Sequence, residues 1–295
     1  MYAQISSNVW KSVLLVVVFM AVLIGLGYLF SEVTGFPYIL PVAVVIAVAG
    51  SIGSYYYSDR IVLGMSQARP ANGEEHAFIM NSVEGLALAA GIPVPRIYVI
   101  DDTAPNAFAT GRDPQHAVIC VTTGLMQKLD RIELEAVIGH EMAHIKDYDI
   151  RFMALVAILA GTIVLISDWL LRSMWWGGGR DRDDDREGGS NPILMLVAIA
   201  AAILAPIIAT LIQLSISRKR EYLADAQGAL LTRYPDGLAS ALAKIAADPE
   251  PLEAANKATA HLYIYNPLRE HGGFLNSLFS THPPIEDRIR RLKAM

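Results

Sequence analysis

The chain has 295 residues, 53% of them hydrophobic and 18% charged, with a mean hydropathy of +0.37. That balance lies above what a soluble domain carries and points to a membrane protein. A formal charge of −5 and a pI near 5.8 give no reason to expect nucleic acid as a partner, and the single cysteine, Cys120, excludes an intramolecular disulfide.

Two apolar runs open the chain, Ser12 to Phe30 and Tyr38 to Tyr57. Each has about the length a helix needs to cross roughly 30 Å of hydrocarbon. The first lacks the small-x-small site of a cleavable signal peptide, and the second begins only a few residues later. The pair predicts a transmembrane helical hairpin over residues 1–59. Lys11 precedes the first run, Arg60 and Arg69 follow the second, and the loop between them carries Glu32 and no base. These bases place the outer ends of the hairpin in the cytoplasm.

Residues 60–151 read as the first polar part. Glu74 to Ala90 has helical spacing and stops at Gly91 and Pro93-x-Pro95. Arg96–Ile100, Asn106–Thr110 and His116–Thr122 read as short strands, separated by turns at 101–105 and at Gly111–Pro114. They predict a small antiparallel or mixed sheet. A helix then opens at Asp130 as N-cap with Glu133 three residues on, and Leu134, Val137 and Ile138 give it a core-facing stripe. On it lies His140-Glu141-Met142-Ala143-His144, an HExxH pentapeptide. At about 100° per residue the two imidazoles lie roughly 40° apart on one face, where both can bind one Zn²⁺. Glu141 beside them can take a proton from an activated water and pass it to a leaving amine. The plain alternative is a surface helix with two solvated histidines. Lys146, Asp147, Asp149 and Arg151 predict a wet end to this helix, so the site is expected at or just outside the bilayer surface.

Two further apolar runs follow, Phe152 to Leu171 and Pro192 to Leu214, a second hairpin over 152–214. The third run is the weakest, because Asp168 and Arg172 interrupt its end; partial insertion, or packing within protein, remains open. The loop at 177–191 mixes Gly with three Arg and five acids, the composition of a flexible exterior loop.

The second polar part, 215–295, is nearly all helical in pattern. Zinc needs more than two protein ligands. A metzincin would have Gly and His where this chain has Asp147 and Ile150, so that class is excluded. A gluzincin takes a Glu from a later helix. In Ser217-Arg218-Lys219-Arg220-Glu221-Tyr222-Leu223-Ala224-Asp225, Glu221 and Asp225 share a face. Glu221 could bind metal while Asp225 holds the distal N–H of a ligand histidine. By spacing alone an ordinary charged helix start fits equally well.

The motifs HEMAH at 140–144, SRKREYLADA at 217–226, PNAFATG at 105–111 and LFSTHPPIEDRI at 278–289 together resemble the HtpX-type membrane metalloproteases, gluzincins similar in turn to the CAAX prenyl endopeptidases. The resemblance covers most of the chain from residue 60 onward, plus the hairpin before it. It implies a mainly α membrane protein, with four transmembrane helices and an α+β zincin-like catalytic domain carrying a small β-sheet. It implies a zinc endopeptidase of the bacterial cytoplasmic membrane, with the catalytic site facing the cytoplasm, that hydrolyses damaged or misassembled membrane proteins. One Zn²⁺ per chain would be held by His140, His144 and Glu221, with Glu141 as general base and Asp225 behind the ligands. His282 would stabilise the oxyanion or position substrate, although Thr281-His282-Pro283-Pro284 also reads as a plain helix start. His76, His116, His261 and His271 have no partner pattern and are expected to be surface or structural.

A protease of broad specificity must hold an extended chain by its backbone. Asn106, Ala107, Phe108, Ala109 and Thr110 are therefore expected to form an exposed edge strand that pairs with polypeptide substrate, a core strand being the alternative. The competing functions are a CAAX-type protease for prenylated C termini and a non-catalytic membrane scaffold stabilised by zinc. An intact Glu141 argues against the scaffold.

Overall fold

A computed structural model describes residues 2–177, 192–214, 218–256, 258–267 and 283–295. The chain begins with two antiparallel helices, α1 (Tyr2–Thr34) and α2 (Ile39–Tyr56). They pack closely because the sequence supplies small residues at the crossing. A Cβ added at Gly27 would lie 2.3 Å from the Cβ of Ala43. A short α3 (Ser58–Met65) leads to β1 (Arg69–Pro70), α4 (Gly73–Ala90), β2 (Arg96–Ile100), β3 (Ala107–Thr110) and β4 (Val118–Thr122). Then come α5 (Thr123–Lys128), α6 (Arg131–Lys146), α7 (Asp149–Gly177), α8 (Pro192–Leu214), α9 (Arg218–Thr232), α10 (Pro235–Ala247) and α11 (Ile285–Leu292).

Among the described residues, three helices are long and apolar enough to cross a membrane: Ile5–Thr34, Ile39–Tyr56 and Asp149–Trp169. The fourth expected span is a helix of 23 residues, Pro192–Leu214, and within it Met195–Ala205 stands out as a shorter apolar stretch among the described residues. The third span begins at Asp149 rather than Phe152, so one unbroken helix runs from the polar part into the apolar bundle. It is also the most enclosed of the three. Its Phe152, Leu155, Val156, Leu159, Ala160 and Ile163 share a core with Leu15, Phe19, Leu23 and Leu26 of α1. The outer faces of α1 and α2 expose Val13, Leu14, Val17, Val42 and Val45, as a lipid-facing surface does. Asp168, near the end of the third span, is exposed and pairs with Arg172 one turn on. The expected exterior loop lies outside the described residues from 178 to 191.

The sheet is mixed, in the order β1-β2-β4-β3. β2 runs parallel to β4, with Tyr98 opposite Cys120, while β3 runs antiparallel to β4, with Phe108 opposite the same cysteine. The expected strand at 116–122 starts later, because Asp113 caps a 3-10 turn over Pro114–His116. One face of the sheet joins α4, α6 and α10 in a core containing Ile79, Val83, Ile119, Val121, Val137, Met142 and Leu242. The other face seats Phe108, Val118 and Cys120 against Met153, Ala154 and Tyr263. The first core draws on both polar stretches, so residues 60–151 and 215–295 fold together.

Candidate metal centre

The HExxH segment lies on α6. The helix opens with the expected capping box: the Asp130 side chain accepts from the Glu133 N–H, and the Glu133 carboxylate accepts from the Asp130 N–H. Glu133 is further tied to Ser240 and Lys244 of α10. Beyond this start the helix is enclosed: every residue from Leu134 to Ile145 except Glu135 is buried. His140, Glu141 and His144 are 0%, 2% and 4% exposed, which removes the reading of solvated surface histidines.

Glu221 reaches them because α9 packs directly on α6. The contact is made by two glycines. A Cβ at Gly228 would lie 2.8 Å from the backbone nitrogen of His140, and one at Gly139 would meet Gly228 O at 3.3 Å. Glu221, Asp225 and Gly228 recur at helical spacing, so the face that touches α6 also presents the two carboxylates.

His140 Nε2 lies 3.1 Å from His144 Nε2 and 3.8 Å from Glu221 Oε2, and His144 Nε2 lies 3.5 Å from Glu221 Oε1. Ligand atoms about 2.0–2.1 Å from a tetrahedral metal are separated by roughly 3.3 Å. The three edges bracket that value. Both Nδ1 atoms turn away from the cluster toward carboxylates. His140 Nδ1 lies 3.0 Å from Asp225 Oδ1, within ion-pair range but without the alignment of a full hydrogen bond, and His144 Nδ1 lies 3.1 Å from Asp149 Oδ2. Among the described residues, His140, His144 and Glu221 are the group that could hold a metal ion, their ligand atoms all within 4.8 Å of one another. Two imidazole nitrogens and one carboxylate suit a first-row divalent metal and leave a coordination position open.

The electrostatics favour a cation. Burial pushes the Glu141 carboxyl up to about 7; His144 opposes this and Glu221 adds to it. Burial also works against a charged ring at His144, but Asp149 and Glu221 outweigh it and raise that ring to about 9. Asp225 resists ionisation by burial, yet Arg288 holds it below the usual carboxylate range. Arg288 donates to both Asp225 oxygens, at 2.8 and 2.7 Å, and to Ile264 O at 2.8 Å, and lies 3.6 Å from Glu221.

Two of these residues escape sequence reasoning. Asp149 was expected on a wet segment, yet it and Asp147 are buried, because the chain turns back beneath His144 after only two residues. Arg288 stands among Glu286, Asp287, Arg290 and Arg291, a run that reads as a solvated face. Only its place in the segment at 278–289 marks it. His282 and His271 lie outside the described residues. His76 and His116 are exposed, and His261 is buried with Nε2 3.0 Å from Met153 O.

β3 is an edge strand, but a buried one, which corrects the expectation of an exposed edge. Ala107, Phe108, Ala109 and Thr110 are all buried. The segment before α11 covers part of the outer edge: Ile264 N–H donates to Ala107 O, and the Asn106 amide donates to Tyr265 O. Thr122 N–H donates to Asn106 O, so by antiparallel alternation the backbone groups of Ala109 face away from β4. The Ala109 N–H is near enough to Glu141 to be one of the lesser influences that favour its ionisation.

The sequence matches peptidase family M48 over residues 74–295. It is 46% identical to the protease HtpX homolog of Thermoanaerobacter pseudethanolicus, over 100% of this chain and 98% of that one. It is 51% identical to the protease HtpX homolog of Dictyoglomus thermophilum, over 82% of this chain and 77% of that one. The crystal structure of S. mikatae Ste24p shares the fold at a TM-score of 0.50 and 21% identity, covering 99% of this chain and 67% of that one. With full-length relatives of one kind and apolar helices long enough to cross a membrane, the chain belongs to peptidase family M48 and is an HtpX-type membrane metalloprotease.

Proposed function

We propose that this protease is a zinc endopeptidase of the bacterial cytoplasmic membrane, and that it cleaves membrane proteins that have lost their native packing. The observation that carries the proposal is the buried convergence of His140, His144 and Glu221, with Glu141 next in sequence to a ligand. His140 and His144 would hold Zn²⁺ through Nε2 and Glu221 through its carboxylate. A zinc ion bound there supplies Lewis-acid polarisation of the scissile carbonyl and of the attacking water. Glu141, next in sequence to a ligand, would take the proton of the attacking water and return it to the departing amine. Arg288 fixes Asp225 behind His140 and does not reach the reacting atoms in this role. Ala109 offers its outward-facing backbone to an extended substrate beside Glu141. His282, from the same segment as Arg288, is proposed to stabilise the oxyanion or position substrate.

Membrane proteins suit the site because α7 carries the chain without a break from the metal centre into the apolar bundle. A segment released from the bilayer would emerge beside the metal centre. Glu141→Gln tests the reading. It should abolish cleavage of an unfolded membrane substrate while the variant keeps its zinc. Cleavage at the wild-type rate would remove Glu141 from the chemistry.

A further inference from the structure

The two ligand histidines are held from behind by carboxylates of different origin. Asp225, behind His140, is anchored by Arg288 within the polar part. Asp149, behind His144, is anchored from the membrane. The amide of Asn8, on α1, donates to Asp149 Oδ1 at 2.7 Å and to Asp147 O at 2.9 Å. Asp149 Oδ2 then lies 3.1 Å from His144 Nδ1, and Arg220 Nη1 lies 3.2 Å from Asp149 Oδ1. Asn8, Asp149 and His144 are 2%, 4% and 4% exposed.

We infer that the first membrane helix is a working part of the metal centre: Asn8 and Asp149 form a chain that orients His144 for the metal. The inference rests on the proposed role of His144 as a ligand. Three observations carry it. A buried amide is costly unless its donors are used, and here both are. The turn between α6 and α7 is only Asp147 and Tyr148, and Tyr148 takes φ 61°, a left-handed conformation that a bulky residue rarely adopts. That turn brings Asp149 back beneath His144, and Asn8 binds the carbonyl of Asp147 and the carboxylate of Asp149. Finally, a carboxylate on Nδ1 selects the tautomer whose Nε2 lone pair faces the metal and locks the ring plane. Asn8 thereby transmits the position of α1 to the ring. A shift of α1 against α7 loosens His144, so the metal affinity is set partly by how the first membrane helix packs against the third.

The test uses the full-length protein in detergent or nanodiscs. Zn²⁺ affinity is read by competition with a chelator of known affinity, and ligand geometry by the visible spectrum of the Co²⁺-substituted protein. Asp149→Asn should weaken Zn²⁺ binding by about 10–100-fold, the usual cost of losing such a partner. Asn8→Leu, close in volume, should weaken it less, by roughly several-fold, and shift the Co²⁺ spectrum in the same sense. The exchange Asn8→Asp with Asp149→Asn reverses donor and acceptor between positions 8 and 149, leaves Asp147 O without its donor and gives His144 an amide, so its affinity should stay low. Ser12→Ala, one turn along α1 and bonded only to Asn8 O, is the control and should match wild type. Should Asp149→Asn fail to fold, Asn8→Leu decides alone. Wild-type affinity and an unshifted Co²⁺ spectrum in Asn8→Leu would overturn the inference. A wild-type protein that binds no Zn²⁺ would instead overturn the metal assignment itself.

Discussion

A methyl group at Gly228 would sit 2.8 Å from the backbone nitrogen of His140 and 3.0 Å from its Cα. Neither atom can yield, because both belong to the α6 backbone. Gly228→Ala therefore separates α9 from α6 and carries Glu221 away from the imidazoles. We predict a loss of about 1–3 kcal/mol of stability from overpacking, seen as a lower melting temperature, together with weaker zinc retention on dialysis. An unchanged melting temperature would show that the helices do not meet there. Arg288 gives a second prediction. Its guanidinium grips both oxygens of Asp225 and a backbone carbonyl at once, a geometry that a lysine ammonium cannot reproduce. Arg288→Lys should fall well short of wild-type stability in thermal melts, and Arg288→Met should lose about 3–5 kcal/mol, because it strands a buried carboxylate. Wild-type melting of Arg288→Met would mean that Asp225 does not depend on it. At this scale the HExxH trio was legible because helical periodicity alone brings residues four apart together. Asp149 and Arg288 were not. One reaches the site through a left-handed turn and the other from the far end of the chain, and no local period encodes either.

Among the elements, β3 carries the substrate hypothesis, and the structure narrows it. The N–H of Ala107 already meets Asn106 Oδ1, and its carbonyl meets Ile264. Proline at 107 would thus disturb internal bonds and report nothing about substrate. Ala109 is the informative position, since its backbone faces away from β4. Ala109→Pro removes one donor, which also lies beside the Glu141 carboxylate; cleavage should fall at least about tenfold while zinc content holds, and retained cleavage is the outcome that decides. Wild-type cleavage in the folded, zinc-loaded variant would release β3 from substrate binding. β2 and β4 were readable from their β-branched runs and β3 from its bounds at Pro105 and Gly111, whereas the two-residue β1 at Arg69–Pro70 has no strand pattern. What covers the edge was not readable, because Ile264 and Tyr265 come from a segment with no strand pattern. The apolar helices were likewise plain from hydropathy, but hydropathy could not show that the third continues unbroken into the metal centre. Asp149 looked like the polar end of one element and is the first residue of the next.

For the molecule as a whole, the shared core requires residues 60–151 and 215–295 to lie on one side of the membrane. An even number of crossings, two or none, therefore separates them. The proposal that this side is the cytoplasm rests on Lys11, Arg60 and Arg69. Arg220, in the basic cluster at 218–220 after the fourth apolar run, adds little to that argument, because it is buried against Asp149 and stacks over Phe152. Cysteines introduced at the exposed positions Glu74 and Leu230 should both react with a membrane-impermeant reagent from the cytoplasmic side only. The native Cys120 gives little background: it is buried, and burial pushes its thiol well above the ordinary value. Labelling of the two positions from opposite sides would break both the topology and the joint metal centre. The most direct measurement is the zinc content of the dialysed full-length protein beside that of Glu221→Ala. The account predicts one zinc per chain in the wild type and severe loss in the variant, with Asp225→Ala losing less; full occupancy in Glu221→Ala would contradict it.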